Sequence, residues 1–214
     1  MTERNLQISA PLRLRVWGDA ALFTRPEMKV ERVSYDVMTP SAARGILEAI
    51  LWKPQMRWIV DQIDVLKPIR FQTVRRNEVG TKATNPMGID AEDHRQQRAA
   101  VILRGVDYVV AARIALSERA GSNDPLAKYV EMFRRRAAAG QCFHRPCLGT
   151  REFAADFALV EDDPPTPLDV SQELGWMLLD IEYGGRVPVP LFFNARLQKG
   201  SLAVPEPNAP QVRR

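Results

Sequence analysis

The sequence predicts an α+β fold. Apolar residues occupy every second position over residues 11–23, and similar stretches return after each of two segments with helical spacing, which begin near Thr39 and Asp124. A period of two is typical of half-buried strands, and recurrence at three and four residues is typical of an amphipathic helix. With 214 residues, of which 45% are hydrophobic, the chain can bury a core of its own.

The N-terminal quarter predicts a strand, a connection and a helix. Residues 11–23 form the strand. Residues 25–40 show no helical stripe, and we expect an extended connection with exposed cations at Arg25, Lys29 and Arg32. Thr39 predicts an N-cap, with Pro40 at the first helical position. The apolar residues of this helix recur at helical spacing at Ile46, Leu47, Ile50 and Leu51.

Further strands and a flexible excursion follow the first helix. Residues 56–79 alternate β-branched and aromatic residues and are interrupted at Lys67 and Pro68, which predicts two strands or a bent hairpin. Gly, Thr, Asn, Pro and Asp dominate the next segment, residues 80–92. We therefore expect a flexible excursion near residues 80–95 and another strand over residues 106–116.

A second helix is predicted after Asp124. Asp124 is expected to cap it, Pro125 occupies the first position, and Gly140 ends it. The expected buried stripe consists of Leu126, Val130, Phe133 and Ala137. Three consecutive arginines lie in the same segment, and because successive residues are about 100° apart, they cannot all face one row of phosphates.

The C-terminal part predicts more strands. Residues 148–160 alternate as a strand, and residues 162–167 are a candidate linker. The order strand, helix, strand, strand, helix, strand is that of ferredoxin-like and RNA-recognition folds. We thus predict a ferredoxin-like domain over residues 1–160, and a linker, a small antiparallel β-sheet and a basic, disordered tail over residues 161–214.

Composition favours an anionic partner. The net charge is +4, and 24 of the 30 basic residues are arginine, whose guanidinium matches phosphate in a bidentate manner.

Cys142 and Cys147 flank His144, but no second ligand pair completes a zinc site, so we expect no metal. We expect free thiols in a reducing cytoplasm. No apolar run approaches the roughly 20 residues that a membrane span needs.

Several segments closely resemble one known family. They match, in order from about Arg13 to Phe193, the Cas-five family of CRISPR-associated proteins, specifically its type I-C (Dvulg) branch in the RAMP superfamily. The matching segments are FTRPEMKVERVSYDVMTPSAARGILEAI, WKP, PIRF, RRNEV, RQQRA, DYVV, GQCFHRPCLGTREF and PLFF. The resemblance implies a RAMP-type ferredoxin-like domain followed by a small C-terminal antiparallel β-sheet, within a cytoplasmic, Cascade-like surveillance complex for antiviral defence.

The resemblance also implies a ligand and partners. The ligand would be guide RNA (crRNA), recognised at its repeat-derived 5′ handle. The partners would be Cas-seven backbone subunits and a Cas-eight large subunit, with target DNA met only through the complex, and no cofactor or metal is implied. As an alternative activity, the type I-C branch resembles metal-independent endoribonucleases that cut precursor crRNA and leave a 2′,3′-cyclic phosphate.

The family's usual catalytic positions differ in this chain. Its proton-transferring aromatic or imidazole residue corresponds to Leu51, which cannot transfer a proton. Its Lys-His dipeptide falls on Ala127 and Lys128. Lys128 and Tyr129 therefore remain the catalytic candidates, and His144 is a further group for acid–base work unless its role is structural. These departures favour RNA binding over cleavage.

The candidate RNA contacts are cations near the ends of the predicted elements. The alternative for each is an ordinary solvated surface, and of the three consecutive arginines we expect one or two to bind. Trp52 and Trp58 are predicted to lie in the core because their neighbours are apolar. The candidates are Arg25, Lys29, Arg32, Lys53, Arg75, Arg76, Arg134, Arg135, Arg136 and Arg145.

Overall fold

The computed structural model describes residues 7–28, 30–82, 88–183 and 187–214. Within them, ten strands and two helices follow one another along the chain. They are β1 (Leu12–Ala21), β2 (Arg32–Val33), α1 (Pro40–Ile50), β3 (Met56–Val65), β4 (Phe71–Val79), β5 (Arg95–Leu116), α2 (Leu126–Ala138), β6 (Asp156–Val160), β7 (Gln172–Glu182), β8 (Val189–Gln198), β9 (Ser201–Ala203) and β10 (Val212–Arg213).

The predicted ferredoxin-like domain is confirmed. Strands β3, β5, β1 and β6 are neighbours in this order, and each pair is antiparallel. Together with α1 and α2 they have the connectivity of the split βαβ unit. The alternation in β1 is confirmed as well, because Leu12, Leu14 and Val16 are buried and join the apolar residues of both helices in one core.

Strand β5 is about twice as long as predicted. It starts at Arg95 instead of Val106 and has 22 residues. Gly105, with a φ of 61°, separates two halves: the second half lies in the ferredoxin-like sheet, and the first pairs with β4 from Leu103 to Arg95. We call β4 with residues 95–103 of β5 the arm. The polar side chains at the start of β5 hide the period of two, which is why the sequence predicted only the second half of this strand.

The two strands predicted over residues 56–79 are confirmed, but they do not form a hairpin, since β3 and β4 each pair with β5. The strand predicted over residues 148–160 is shorter than expected, because only β6 (Asp156–Val160) is extended in the sheet. Of the flexible excursion near residues 80–95, residues 83–87 lie outside the described residues.

The antiparallel C-terminal strands extend the main sheet. Strand β8 pairs with β7, β9 and β10, and β9 pairs with β3 over Gln62–Asp64. The expectation of a disordered tail is wrong at its end, because Val212 and Arg213 pair with Phe193 and Phe192 of β8. A domain boundary near residue 161 stays a prediction.

The ends of the helices follow the sequence with one exception. Thr39 caps α1 as predicted, and its Oγ1 accepts a hydrogen bond from the Ala42 N–H at 3.3 Å. The predicted cap of α2 is wrong, because Pro125 occupies the N-cap and the Asp124 carboxylate accepts a bond from the Gly121 N–H at 3.2 Å. Gly140, with a φ of 64°, follows α2 as predicted.

The buried face of α2 is shifted from the predicted stripe. Phe133 and Ala137 are buried as expected, whereas Leu126 and Val130 are only half-buried and Tyr129 takes the deeper position. Phe133 has no exposed surface, and its ring packs edge-on against Trp58 of β3, with 4.7 Å between centroids. This contact fixes α2 on the sheet.

Phe133→Ala is therefore expected to lower the free energy of unfolding by about 3 to 5 kcal/mol, because it leaves a cavity under Trp58. Chemical denaturation followed by tryptophan fluorescence measures this loss. Glu131→Ala on the exposed face of the same helix is the control, with an expected change within about 0.5 kcal/mol. Equal effects of the two substitutions would contradict the packing role of Phe133.

Candidate nucleic-acid interface

The end of α1 is a junction of three parts of the chain. The last carbonyl groups of a helix have no partner within it and need donors from elsewhere. Here the Ala49 carbonyl accepts the Phe143 N–H at 2.8 Å, and the Ile50 carbonyl accepts Nη1 of Arg136 at 2.9 Å. The Leu51 carbonyl accepts the indole Nε1–H of Trp58 at 2.9 Å. These bonds hold the segment after α1 beside the loop after α2.

The junction exposes two aromatic rings. Trp52 follows α1 and is 53% exposed, so its predicted place in the core is wrong, whereas the prediction for Trp58, 4% exposed, is confirmed. Phe143 is 87% exposed although its backbone is fixed on α1. Its ring meets the His144 ring edge-on at 6.1 Å. Exposed aromatic rings on a fixed backbone are typical of surfaces that stack on a ligand.

Cationic and titratable side chains surround these rings. Lys53, His144 and Arg145 are exposed in the same two segments. We call Trp52, Lys53, Phe143, His144 and Arg145 the aromatic-basic surface. Arg145 forms an ion pair at 2.9 Å with Asp156, and both side chains are more than half exposed. Such a pair is weak in water and can be exchanged for a phosphate.

The three consecutive arginines of α2 have different surroundings. Arg136 is half-buried and bonded to the Ile50 carbonyl, so its guanidinium holds the two helices together. Arg134 and Arg135 are exposed, and Arg134 lies 3.5 Å from Glu131. This division follows from their angular spread on the helix and agrees with the expectation that they cannot all face the same way.

The cations of the arm divide between its two faces. Arg76 bonds to Glu152, and the side chains of Arg32 and Arg98 each lie 3.6 Å from Glu78. These residues share one face of the arm. Arg75 lies on the other face and is exposed, as is Phe71 of the same strand.

Arg25 does not add to either surface. The Arg25 guanidinium bonds to Asp36 at 2.9 Å and lies 4.5 Å from the centroid of the Tyr35 ring. Its side chain is only 25% exposed, so the expectation of an exposed Arg25 is wrong. Lys29 lies outside the described residues.

The two catalytic candidates on α2 both contact Asp124. Lys128 is exposed, and its Nζ lies 3.1 Å from Asp124 Oδ1. Tyr129 is 2% exposed and donates its hydroxyl proton to the same oxygen at 2.7 Å. Burial, with the Asp124 carboxylate, raises the pKa of Tyr129 to about 12. A buried hydroxyl in this state fits proton transfer to RNA poorly. Leu51 is fully buried and Ala127 is exposed.

The chemistry of these surfaces suits an anionic, aromatic ligand. The sequence contained a signal for the aromatic-basic surface, since each ring stands next to a cation or an imidazole, in Trp52-Lys53 and Phe143-His144, outside any periodic segment.

Among the described residues, no group of three His, Cys, Asp or Glu side chains could hold a metal ion. Both cysteines carry free thiols. None of the described helices is long and apolar enough to cross a membrane.

The Asp124 bonds predict a pH dependence of stability. The Tyr129 hydroxyl, Lys128 and the Gly121 N–H lower the pKa of Asp124 below its ordinary value of 3.8. The stabilisation from these bonds is therefore complete above that value and is lost as the pH falls through the lower, folded-state pKa. We expect wild type to melt at a higher temperature than Asp124→Asn at pH 7, and the difference to shrink as the pH falls below 3.8.

Thermal melts monitored by circular dichroism between pH 2 and 7 measure this difference. Asp93→Asn, at an exposed turn position, provides the control and should melt like wild type throughout. A melting difference between wild type and Asp124→Asn that stays constant down to pH 2 would contradict the assignment.

Comparison with known proteins identifies the family. Residues 11–205 match the family model described as CRISPR-associated protein (Cas_Cas5). A protein of Mannheimia succiniciproducens named CRISPR pre-crRNA endoribonuclease Cas5d is 50% identical, over 95% of this chain and 98% of its own length. A protein of the same name from Thermus thermophilus is 45% identical, over 92% of each chain.

Solved structures agree in fold. A crystal structure of a CRISPR-associated protein superposes with a TM-score of 0.75 at 22% identity, over 99% of this chain and all of the other. A functionally uncharacterised protein from Streptococcus mutans superposes with a TM-score of 0.73 at 21% identity, over 98% of this chain and all of the other. The family match spans most of the chain and the relatives align along nearly their whole length. The chain thus belongs to the Cas5 family of CRISPR-associated proteins, and its relatives place it with the Cas5d branch.

Proposed function

We propose that this protein binds the guide RNA of a type I-C CRISPR surveillance complex through the aromatic-basic surface and recognises the repeat-derived 5′ handle. The observation that carries the proposal is the 87% exposure of Phe143 on a backbone bonded to the end of α1, which is followed by the exposed Trp52 and Lys53. The names of the two relatives, both pre-crRNA endoribonucleases, support an RNA ligand.

Each part of the surface has a role in this proposal. Unpaired bases stack on Phe143 and Trp52, since every base has a π-face that an aromatic ring can cover. Lys53 and Arg145 contact the phosphates, and Arg145 exchanges Asp156 for the RNA. Such contacts fix the position of the RNA strand, whereas sequence recognition requires further contacts with base edges.

The candidate cations fall into two groups, those that are exposed and those that already bond to other parts of this chain. The proposed phosphate contacts are exposed cations, namely Lys53, Arg75, Arg134, Arg135 and Arg145. The others hold parts of this chain together, so we propose a structural role for Arg25, Arg32, Arg76 and Arg136. Lys29 remains a proposed contact outside the described residues.

Stacking and charge can be separated by salt titration. Phe143→Ala is expected to weaken the binding of repeat RNA about fivefold to 150-fold without changing the slope of log affinity against log salt. Lys53→Ala should reduce that slope by about one, because one phosphate contact is lost. Fluorescence anisotropy at several salt concentrations measures both quantities.

Trp176→Ala provides a matched control for Phe143→Ala. Trp176 is 51% exposed on β7, so its substitution also removes an exposed ring, but at a distance in sequence from either segment of the aromatic-basic surface. Unchanged affinity is expected. If Trp176→Ala and Phe143→Ala weaken binding equally, the aromatic-basic surface is not the binding site.

A second function, cleavage of precursor crRNA without a metal, is favoured by the names of the relatives. In this reaction the ribose 2′-oxygen forms a bond to the adjacent phosphorus and the bond to the 5′-oxygen breaks. The products are a 2′,3′-cyclic phosphate and a 5′-hydroxyl. Lys128 would stabilise the crowded phosphorane, and His144, an exposed imidazole, is suited to proton transfer.

The cleavage proposal predicts a metal-independent product. Purified protein incubated with its cognate repeat RNA in EDTA should give one discrete product with a 2′,3′-cyclic end. Lys128→Ala is expected to slow its formation about 100-fold or more, as the loss of a charge-stabilising group does. Tyr129→Phe should retain the activity and lose about 1 kcal/mol of stability, because only a buried hydrogen bond is removed.

Gel electrophoresis of labelled RNA and phosphatase-sensitive end mapping follow the reaction. RNA that is tightly bound but uncut would overturn the second function and leave the first in place. If Tyr129→Phe abolishes cleavage while the fold is retained, the structural role given to Tyr129 is wrong.

The proposal includes the assembly implied by the family. In it, the protein works in the cytoplasm beside Cas-seven backbone subunits and a Cas-eight large subunit, and it meets target DNA only through the complex. Co-expression of these subunits with guide RNA, followed by size-exclusion chromatography, tests this part. The protein should elute with the complex when RNA is present, and separate elution would contradict the assignment.

A further inference from the structure

A groove separates two parts of the sheet on the side of α1. It encloses about 340 Å³. One wall is the continuous stretch 57–61 of β3, the opposite wall includes residues 179–181 of β7, and residues 204–207 close one end. Arg44 and Glu48 of α1 also line it. Because five consecutive residues of β3 line the groove, its wall includes the backbone edge of that strand.

The outer edge of β3 is open along this wall. The Ser117 N–H donates to the Gln55 carbonyl, and in an antiparallel pair the residues that bond to the neighbour alternate with residues that point away. Trp58 and Val60 therefore direct their N–H and C=O groups toward the groove. Strand β9 pairs only with Gln62–Asp64. Within the described ranges, no strand pairs with the outer edge of β3 from Trp58 to Val60, whereas the Met56 N–H already donates to the Lys53 carbonyl at 3.1 Å.

The neighbouring chain leaves β3 after Val204. The Val204 N–H still donates to the Asp61 carbonyl at 2.9 Å. Pro205 and Pro207 follow, and the chain then turns, since the Ala209 N–H donates to the Glu206 carbonyl at 2.9 Å. Open edges are usually blocked, since they pair readily with other chains.

The charge of the groove disfavours RNA. The carboxylates along its walls outnumber the cations, although the whole chain carries +4. Arg44 is already bonded to Glu48 at 2.8 Å and to Asp180 at 2.6 Å, and Arg113 lies 2.5 Å from Asp61 and 3.8 Å from Glu206, which leaves an excess of one carboxylate. The carboxylates are Glu48, Asp61, Asp180 and Glu206, and the cations are Arg44 and Arg57. Ile59, Leu179, Val204 and the two prolines add apolar surface.

We propose that the groove binds an extended segment of another protein, which adds to the outer edge of β3 as an antiparallel or parallel strand. The backbone groups of Trp58 and Val60 supply the hydrogen bonds, as in other cases of strand addition. The open edge from Trp58 to Val60 is about 10 Å long and accepts about three residues. The acidic, partly apolar walls select a segment in which apolar residues alternate with Lys or Arg. This site is independent of the RNA-binding proposal.

The test uses random 12-residue peptides displayed on phage and selected on the full-length protein. Enriched peptides should alternate apolar and basic residues. The corresponding synthetic peptides should slow amide hydrogen exchange at Trp58 and Val60 at least about tenfold, because hydrogen bonds to the added strand replace hydrogen bonds to water. Glu206→Lys should weaken these peptides about threefold or more, since it reverses a charge at the end of the groove.

Glu173→Lys is the matched control. Glu173, like Glu206, is more than 60% exposed and lies within 4 Å of one arginine, but it is outside the groove. It should leave peptide affinity unchanged, and both variants should retain the wild-type melting temperature. Selection of no peptide, or of peptides that bind Glu206→Lys normally and leave the Trp58 and Val60 amides unprotected, overturns the proposal. Self-association of the protein that Glu206→Lys abolishes would assign the groove to a second copy and also overturns it.

Discussion

The unsatisfied carbonyl groups at the end of α1 impose the constraint on which the candidate RNA surface depends. A helix leaves its last carbonyls without partners, and water cannot serve them where other elements pack against the helix end. In this chain the donors come from the loop after α2, from α2 itself and from β3. One set of bonds therefore fixes the relative positions of three elements that are far apart in sequence. One of these bonds fixes the Phe143 backbone while its ring stays outside the core, and the exposed Trp52 directly follows the bonded segment.

A second constraint concerns charge. A chain with so many arginines cannot direct them all to a ligand, because several carboxylates are held against the same strands. Arg76 bonds to Glu152, and Glu78 lies between Arg32 and Arg98, so one face of the arm is neutralised within the molecule. Other arginines serve as hydrogen-bond donors, as Arg136 does at the end of α1. Among the described cations that stay exposed, Lys53 and Arg145 lie in the same two segments as the exposed rings of Trp52 and Phe143.

The same sheet provides two surfaces with opposite character. The aromatic-basic surface follows the end of α1, whereas the groove between β3 and β7 has more carboxylates than arginines and an open strand edge. We propose RNA as the ligand of the first and a protein segment as the ligand of the second. This separation fits a subunit of an RNA-containing assembly, which needs both kinds of contact without competition between them.

The sequence by itself determined the local features of this protein. The Thr39 cap, the alternation in β1 and the glycine after α2 were predictable because each depends on residues close in the chain. The segments that resemble the Cas-five family predicted the ferredoxin-like fold. The tertiary structure alone decided the length of β5, the exposure of Trp52 and the burial of Tyr129. Each of these depends on how the elements pack: β4 pairs with the polar half of β5, Trp52 follows the last buried residue after α1, and α2 turns Tyr129 toward the core. Burial and ion pairing are properties of pairs of groups brought together by folding, and the order of residues along the chain does not contain them directly.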